Sequence, residues 1–201
     1  MNFKFSIYIT ISLLLLFSAC GEKNEESQGD VFYSQGEYQK AVDAYTEYLK
    51  LKPSDETVLY NRGRAYEELG KYDKSLADFN KVLKIDPNNQ NALLSYGKQF
   101  YRDKDYKNAA FQFEKAFKLN TSNSQTALLL ARALHKAGEV DKAMEHYNIA
   151  ISIDDNNAEA YMYRGALKYY LKRTSSGCND IQRARNMEYA PAEDLYNQYC
   201  K

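Results

Sequence analysis

The chain repeats itself on one fixed step, and that period constrains its fold more than any single stretch does. The fullest copy runs from Leu59 to Pro87. Gly63 in this copy is matched, one step at a time, by Gly29, Gly97, Ala131 and Gly165. Ser75 is matched by Ala41, Ala109, Ala143 and Gly177, and Phe79 by Tyr45, Phe113, Tyr147 and Ile181. Pro87 is matched by Pro53 and then by Thr121, Asp155 and Tyr189. Several unrelated side-chain types returning together in register predict a stack of like supersecondary units.

Each unit reads as a pair of helices. Leu59, Gly63 and Tyr66 follow a four-then-three spacing that places them on one helix face. Gly70 ends that helix, since glycine tolerates the left-handed conformation of a C-terminal cap. Asp73 is a candidate N-cap for a second helix, whose buried face carries Ser75, Phe79 and Val82. Pro87 closes it, and Asn88 and Asn89 supply turn and capping groups for the next unit. Gly63 and Ser75 let the two helices approach, with Tyr66 and Phe79 filling the space beside them. Only 3 Pro and 9 Gly occur in 201 residues, which leaves little material for long loops.

This order of small, aromatic and Pro positions, on a step of about 34 residues, resembles the tetratricopeptide repeat (TPR). The resemblance covers about Glu25 to Tyr189. It implies an all-α, right-handed superhelical solenoid of helix-turn-helix hairpins. About five units are expected, at 22–55, 56–89, 90–123, 124–157 and 158–189, followed by a capping helix over 190–201 that Pro191 can open. The outer units depart from the pattern, as the ends of such arrays do. The first has a short, polar opening helix, and the fifth has Lys168 at an aromatic or aliphatic position and an irregular turn from Lys172 to Gly177.

The N-terminus has a different character. Residues 1–19 carry Lys4, an apolar run from Phe5 to Phe17, and the small residues Ser18 and Ala19, in the layout of a secretory signal. Its ending, Phe-Ser-Ala followed by Cys20, resembles a bacterial lipoprotein signal, with Phe17 at the position where Leu is usual. That resemblance implies an acylated Cys20, a polar tether over 20–24, and attachment to the membrane through the N-terminal lipid alone. The absence of Asp after Cys20 resembles outer-membrane lipoproteins, so the expected location is the cell envelope, periplasmic or surface side. A plain signal peptide ending near a Cys is the alternative.

Cys178 and Cys200 fall at the start of the last full helix and the end of the capping helix. If these run antiparallel, the thiols meet at one end, and an exported protein would keep them as a disulfide. Two packed free thiols are the other reading.

The sequence offers no catalytic constellation. His135 and His146 are the only histidines, expected toward the inner face and toward solvent respectively, and no metal-ligand spacing accompanies them. Asp154 to Asn157 reads as an inter-repeat turn rather than a calcium loop. No cofactor is implied, and the chain is expected not to be an enzyme.

In the family the first helix of each hairpin lines a concave groove. Opposite the packing residues this chain has Tyr60, Arg64 and Glu67, then Leu94, Lys98, Tyr101 and Arg102. Leu128, Arg132, His135 and Lys136 follow, and then Met162, Tyr163, Tyr169 and Tyr170. A basic strip ending in an aromatic and thioether surface suits a protein or peptide partner carrying acidic and apolar groups. Early groove positions hold Glu26 and Asp30, unlike relatives that grip C-terminal carboxylates with Lys and Asn. With 27 basic and 27 acidic residues, nucleic acid is not an expected partner. The sequence therefore points to a scaffold or assembly factor of the envelope, or alternatively to a structural subunit of a larger complex; it does not fix the oligomeric state.

Overall fold

The computed structural model describes residues 27–201. The expected signal, the acylated Cys20 and the tether lie outside the described residues. All regular structure among the described residues is helical. Five hairpins follow one another: α1 (Gln28–Ser34) with α2 (Tyr38–Leu51), α3 (Glu56–Glu68) with α4 (Tyr72–Ile85), and α5 (Gln90–Arg102) with α6 (Tyr106–Leu119). Then come α7 (Ser124–Lys136) with α8 (Val140–Ile153), α9 (Ala158–Tyr170) with α10 (Thr174–Asn186), and a single closing helix α11 (Ala190–Tyr199). Each helix packs on its neighbours in sequence, which makes the array a solenoid.

The first helix of each hairpin is started by a side chain. Ser27, Asp55, Asn89, Asn123 and Asn157 each accept a hydrogen bond from a backbone N–H in the first turn, at 2.8 to 3.2 Å. The last four of these caps stand one repeat apart. Four of the five second helices are started by the turn alone, while α6 also has Asp105, whose carboxylate accepts from Asn108 N–H at 3.3 Å. Gly36, Gly70 and Gly138 take φ values of 76°, 67° and 84°, and the following N–H reaches back to a carbonyl of the preceding helix, as in Lys71 N–H to Tyr66 O at 2.8 Å. Asp73 is therefore not an N-cap: α4 opens at Tyr72 behind Lys71, which makes no side-chain cap bond. Asp73 lies within the first turn, where its charge suits the helix N-terminus.

Lys104 and Lys172 take the same left-handed conformation at the equivalent places, with φ of 63° and 61°, and Glu188 takes it at 59° in the turn from α10 to α11. The segment after Lys172 is thus not irregular. Arg173 N–H bonds Lys168 O at 2.9 Å, and α10 begins at Thr174. The lysine hides a turn that glycine marks elsewhere.

Inside each hairpin a ring lies against a helix that lacks a side chain. A Cβ on Gly29 would meet Tyr45 at 2.3 Å, one on Gly63 would meet Phe79 at 2.6 Å, and one on Gly97 would meet Phe113 at 2.6 Å. These rings are at most 2% exposed. In the fourth hairpin Ala131 replaces the glycine beside a fully buried Tyr147. In the fifth, backbone meets backbone: a Cβ on Gly165 would lie 2.7 Å from Gly177 O, and one on Gly177 would lie 2.8 Å from Gly165 O.

Two buried ion pairs brace the second and fifth hairpins. Arg62 grips Asp78 through two hydrogen bonds of 2.7 Å and also donates to Thr46 Oγ1. Arg164 grips Asp180 at 2.7 and 2.8 Å and donates to Asn148 Oδ1, while Lys168 joins the same carboxylate at 2.7 Å. Lys168 thus replaces an apolar contact with a second cation on the Asp180 carboxylate. At the end of the chain α11 is fastened by the Cys178–Cys200 disulfide, with Cα atoms 5.5 Å apart. Pro191 stands in its first turn and Ala192 is fully buried.

Gly63→Ala should destabilise the protein by about 1–2 kcal/mol in chemical denaturation, because overpacking against Phe79 outweighs the gain in helix propensity. The cost should shrink when Phe79→Leu is added, and an additive double mutant would contradict the ring-on-glycine origin of the effect.

Candidate functional site

The first helices α1, α3, α5, α7 and α9 present one face away from their partner helices, and three pockets open along it. The central pocket has a volume of about 470 Å³. Lys98, Tyr101 and Arg102 of α5 and Arg132 of α7 surround it, Glu67 of α3 lies on one side, and Phe113 and Leu129 provide apolar wall. The sequence-predicted Lys98, Tyr101, Arg102 and Arg132 are therefore brought together.

The arginines here are held rather than loose. Arg102 lies 3.6 Å from the Tyr72 ring centroid and 3.8 Å from Glu67. Arg132 pairs with Glu159 at 2.8 Å and sits 4.7 Å from the Tyr163 ring and 5.5 Å from Tyr101. Flat guanidinium groups between aromatic faces lose little further freedom on binding. Arg64 is exposed, 4.6 Å from the Tyr33 ring and 6.0 Å from Tyr60. Lys98 is exposed and joins no ion pair among the described residues. Burial pushes the Glu67 carboxyl above its ordinary value, against the attraction of Arg102 and Lys98.

Further along, His135 is half-buried with Nδ1 3.3 Å from the Tyr147 hydroxyl, and burial holds its imidazole below the ordinary value. Lys136 is exposed. Tyr163 stacks on Tyr147 with centroids 6.3 Å apart. Tyr60 is half-buried, 5.6 Å from Phe79.

Three expectations need correction. Met162 and its counterpart one repeat earlier, Leu128, are 7% and 0% exposed and belong to the core, because their side of α9 and α7 is covered where neighbouring hairpins meet. Neither offers groove surface. His146 does not point freely to solvent: it is half-buried, edge-on to Phe117 at 5.4 Å, and burial lowers its pKa. Sequence reasoning also missed Leu129, Tyr72 and Glu159. The tyrosine belongs to a second helix, away from the first-helix faces that carry the groove.

A second pocket of about 640 Å³ lies at the C-terminal end, between α9, α10 and α11. Tyr169 and Tyr170 face Leu195 and Tyr199 there, with Ile181 as floor and Lys172 at the rim. Tyr169 meets Tyr199 at 4.9 Å, so this groove position is roofed in part by the closing helix. A third pocket of about 220 Å³ lies near the N-terminal end, among Asp30, Tyr33, Ser34, Tyr45, Asn61 and Arg64. Its carboxylate is already engaged, accepting from the Tyr45 hydroxyl at 2.6 Å and from Asn61 at 2.9 Å. No group of three or more His, Cys, Asp or Glu side chains among the described residues could hold a metal ion.

Three family models match in succession: Tetratricopeptide repeat over residues 27–90, Anaphase-promoting complex, cyclosome, subunit 3 over 78–150, and TPR repeat over 131–171. No curated protein matches the chain in sequence. Among solved structures, MamA is 23% identical, with 83% of this chain and 97% of that chain covered and a TM-score of 0.76. YrrB, described as a TPR protein with an unusual peptide-binding site, is 19% identical over 88% of this chain and 94% of that one, TM-score 0.75. A tetratricopeptide repeat protein from Parabacteroides merdae is 27% identical over 79% of this chain and 62% of that one, TM-score 0.66. The first two likenesses carry the fold.

An ionised Glu67 with a raised pKa costs stability above that pKa, and the cost disappears on protonation. Glu67→Gln should therefore stabilise the protein at pH 7 by roughly 0.5 kcal/mol, the advantage vanishing as pH falls toward 4.5. Thermal unfolding of both proteins across this range checks the sign.

Proposed function

We propose that this chain, which is built of tetratricopeptide repeats, is a non-catalytic interaction module that docks a segment of a partner protein in the groove of its first helices. The observation that carries this reading is the central pocket, where Lys98, Arg102 and Arg132 surround apolar wall. Pre-positioned cations beside Leu129 and Phe113 suit a segment with a carboxylate and an adjoining apolar group. The peptide-binding site described for YrrB supports the same kind of occupant. A nucleic acid fits poorly, since Glu67 and Glu159 sit among the guanidinium groups and the whole chain is uncharged on balance.

The module works in the cell envelope, attached through a lipid on Cys20, with the outer membrane favoured over the inner. Support comes from the Lys4 start, the apolar run and the Ser18-Ala19-Cys20 ending. There it serves as a scaffold or assembly factor. A structural subunit of a larger complex is the second reading, favoured by apolar residues on second helices: Leu51, Ile85 and Phe111 are 85%, 46% and 53% exposed.

Exchange of Arg64 and Lys98, both exposed, to Glu should lower partner recovery from envelope extracts at least tenfold while leaving the unfolding midpoint near wild type. Unchanged recovery would remove the groove and favour the second-helix surface. Cys20→Ser should abolish incorporation of labelled fatty acid and shift the protein out of the membrane fraction; continued labelling would refute the anchor.

A further inference from the structure

The three pockets are one site repeated at a two-hairpin step. Moving Asp30, Tyr33, Ser34, Tyr45, Asn61 and Arg64 along the chain by two repeats gives Lys98, Tyr101, Arg102, Phe113, Leu129 and Arg132. All six lie at the central pocket. A second move of the same length gives Ala166, Tyr169, Tyr170 and Ile181, all at the C-terminal pocket, and the remaining two places are taken there by Leu195 and Tyr199 of α11. Between the last two, the equivalent space is filled by rings of the fourth and fifth hairpins: Tyr147 of α8 stacks on Tyr163 of α9, and Arg132 covers Tyr163.

The chemistry of the site changes steadily along the array. The first copy is polar and small, and its Asp30 is satisfied from within. The central copy is cationic, with Lys98 in no ion pair among the described residues. The C-terminal copy is the largest and has Ala166 and Tyr170 in place of Lys98 and Arg102. Tyr170 is 73% exposed at its mouth, an unusual position for a ring in a folded chain.

We infer that the groove takes a two-anchor segment of a partner protein, with an acidic side chain in the central pocket and an aromatic or aliphatic side chain in the C-terminal pocket. The inference rests on the groove reading proposed above and adds to it the chemistry and order of the anchors. Charge complementarity assigns the acid to Lys98 and its neighbours, and the shared register makes the apolar pocket the next free position for the same extended segment. The fourth hairpin between them, where Tyr147 and Tyr163 of α9 close the space, acts as spacer.

The disulfide belongs to this site. Leu195 and Tyr199 are the outer wall of the apolar pocket, and Cys200 follows Tyr199 directly. Helix α11 is short and has one fully buried side chain, Ala192, too little to hold it in place by burial alone. Its other ties include the Arg185–Glu193 ion pair at 2.6 Å, Arg185 4.8 Å from the Tyr196 ring, the partly buried Leu195 and Tyr196, and the Tyr169–Tyr199 contact. Opening Cys178–Cys200 therefore loosens the wall of one anchor pocket and leaves the other intact.

The test uses the whole mature chain and synthetic fluorescent peptides. One peptide carries Glu-Glu-Asp alone; the others join it to Leu-Phe through Gly-Ser spacers of graded length, in both orders. The best-spaced two-anchor peptide should bind at least about tenfold tighter than the acidic one. Tyr170→Ala, at an exposed position, and Leu195→Arg should each remove that gain and leave acidic-peptide affinity unchanged, while Lys98→Glu weakens both. An excess of a small dithiol, itself oxidised to a cyclic disulfide as both cysteine thiols form, should also remove the gain in the wild type and not in Cys178→Ser/Cys200→Ser, which starts without it. A gain that survives Tyr170→Ala and Leu195→Arg, or no gain at any spacing, overturns the two-anchor inference while the groove reading stands. If no peptide binds, including the acidic one, the groove reading falls and the inference with it.

Discussion

The whole array depends on how near two helices can come when one of them gives up a side chain. A ring on the second helix lies where the first helix has only a hydrogen, at Gly29, Gly63 and Gly97. This contact sets the separation and angle of each hairpin, and through repetition it sets the line of the groove. Where the ring is Tyr147 and the partner Ala131, the hairpin admits one more methyl group. Where Gly165 and Gly177 meet, the ring gives way to Ile181 and the helices touch backbone to backbone. Close packing of this kind transmits any change in volume along the stack, since each hairpin is also the floor of the next.

Such contacts are legible in the sequence because they recur on the shortest step. The glycine, the ring and the small residue return with every hairpin, so the period exposes them even in a single chain. The C-terminal bond between Cys178 and Cys200 is visible as a geometric option for the same reason, since the period fixes how many helices separate the two. The turns between hairpins show through their Pro, Asp and Asn residues, but the left-handed turns are legible only where glycine marks them. Lys104, Lys172 and Glu188 adopt the same backbone without its signature, because the hydrogen bonds of the turn use no side chain. Asp73 misleads by the same mechanism, since the turn itself starts the second helix.

The functional face is harder to read. A solenoid helix is covered by its partner and by an adjacent hairpin, so its free face is narrower than a two-sided pattern suggests. Met162 falls within the covered part and Tyr163 does not, although they are adjacent. Charge misleads in another way. In sequence Arg132 and Arg102 belong to a basic strip, yet each has a carboxylate within 4 Å and a ring beside it. Pairing partners on other helices are invisible along one face. The Arg62–Asp78 and Arg164–Asp180 clamps leave no periodic mark because they return only after three hairpins.

The recurrence of the pockets has a consequence for how such a surface could be lengthened. The backbone repeats with one hairpin, but the open pockets repeat with two, so the binding lattice has twice the period of the structural one. Inserting a single hairpin would keep the packing rule and reverse the alternation of open and filled positions beyond it. Inserting a pair would add one pocket and leave the phase of all the others unchanged. The material has one unit cell for standing up and another, doubled, for recognition.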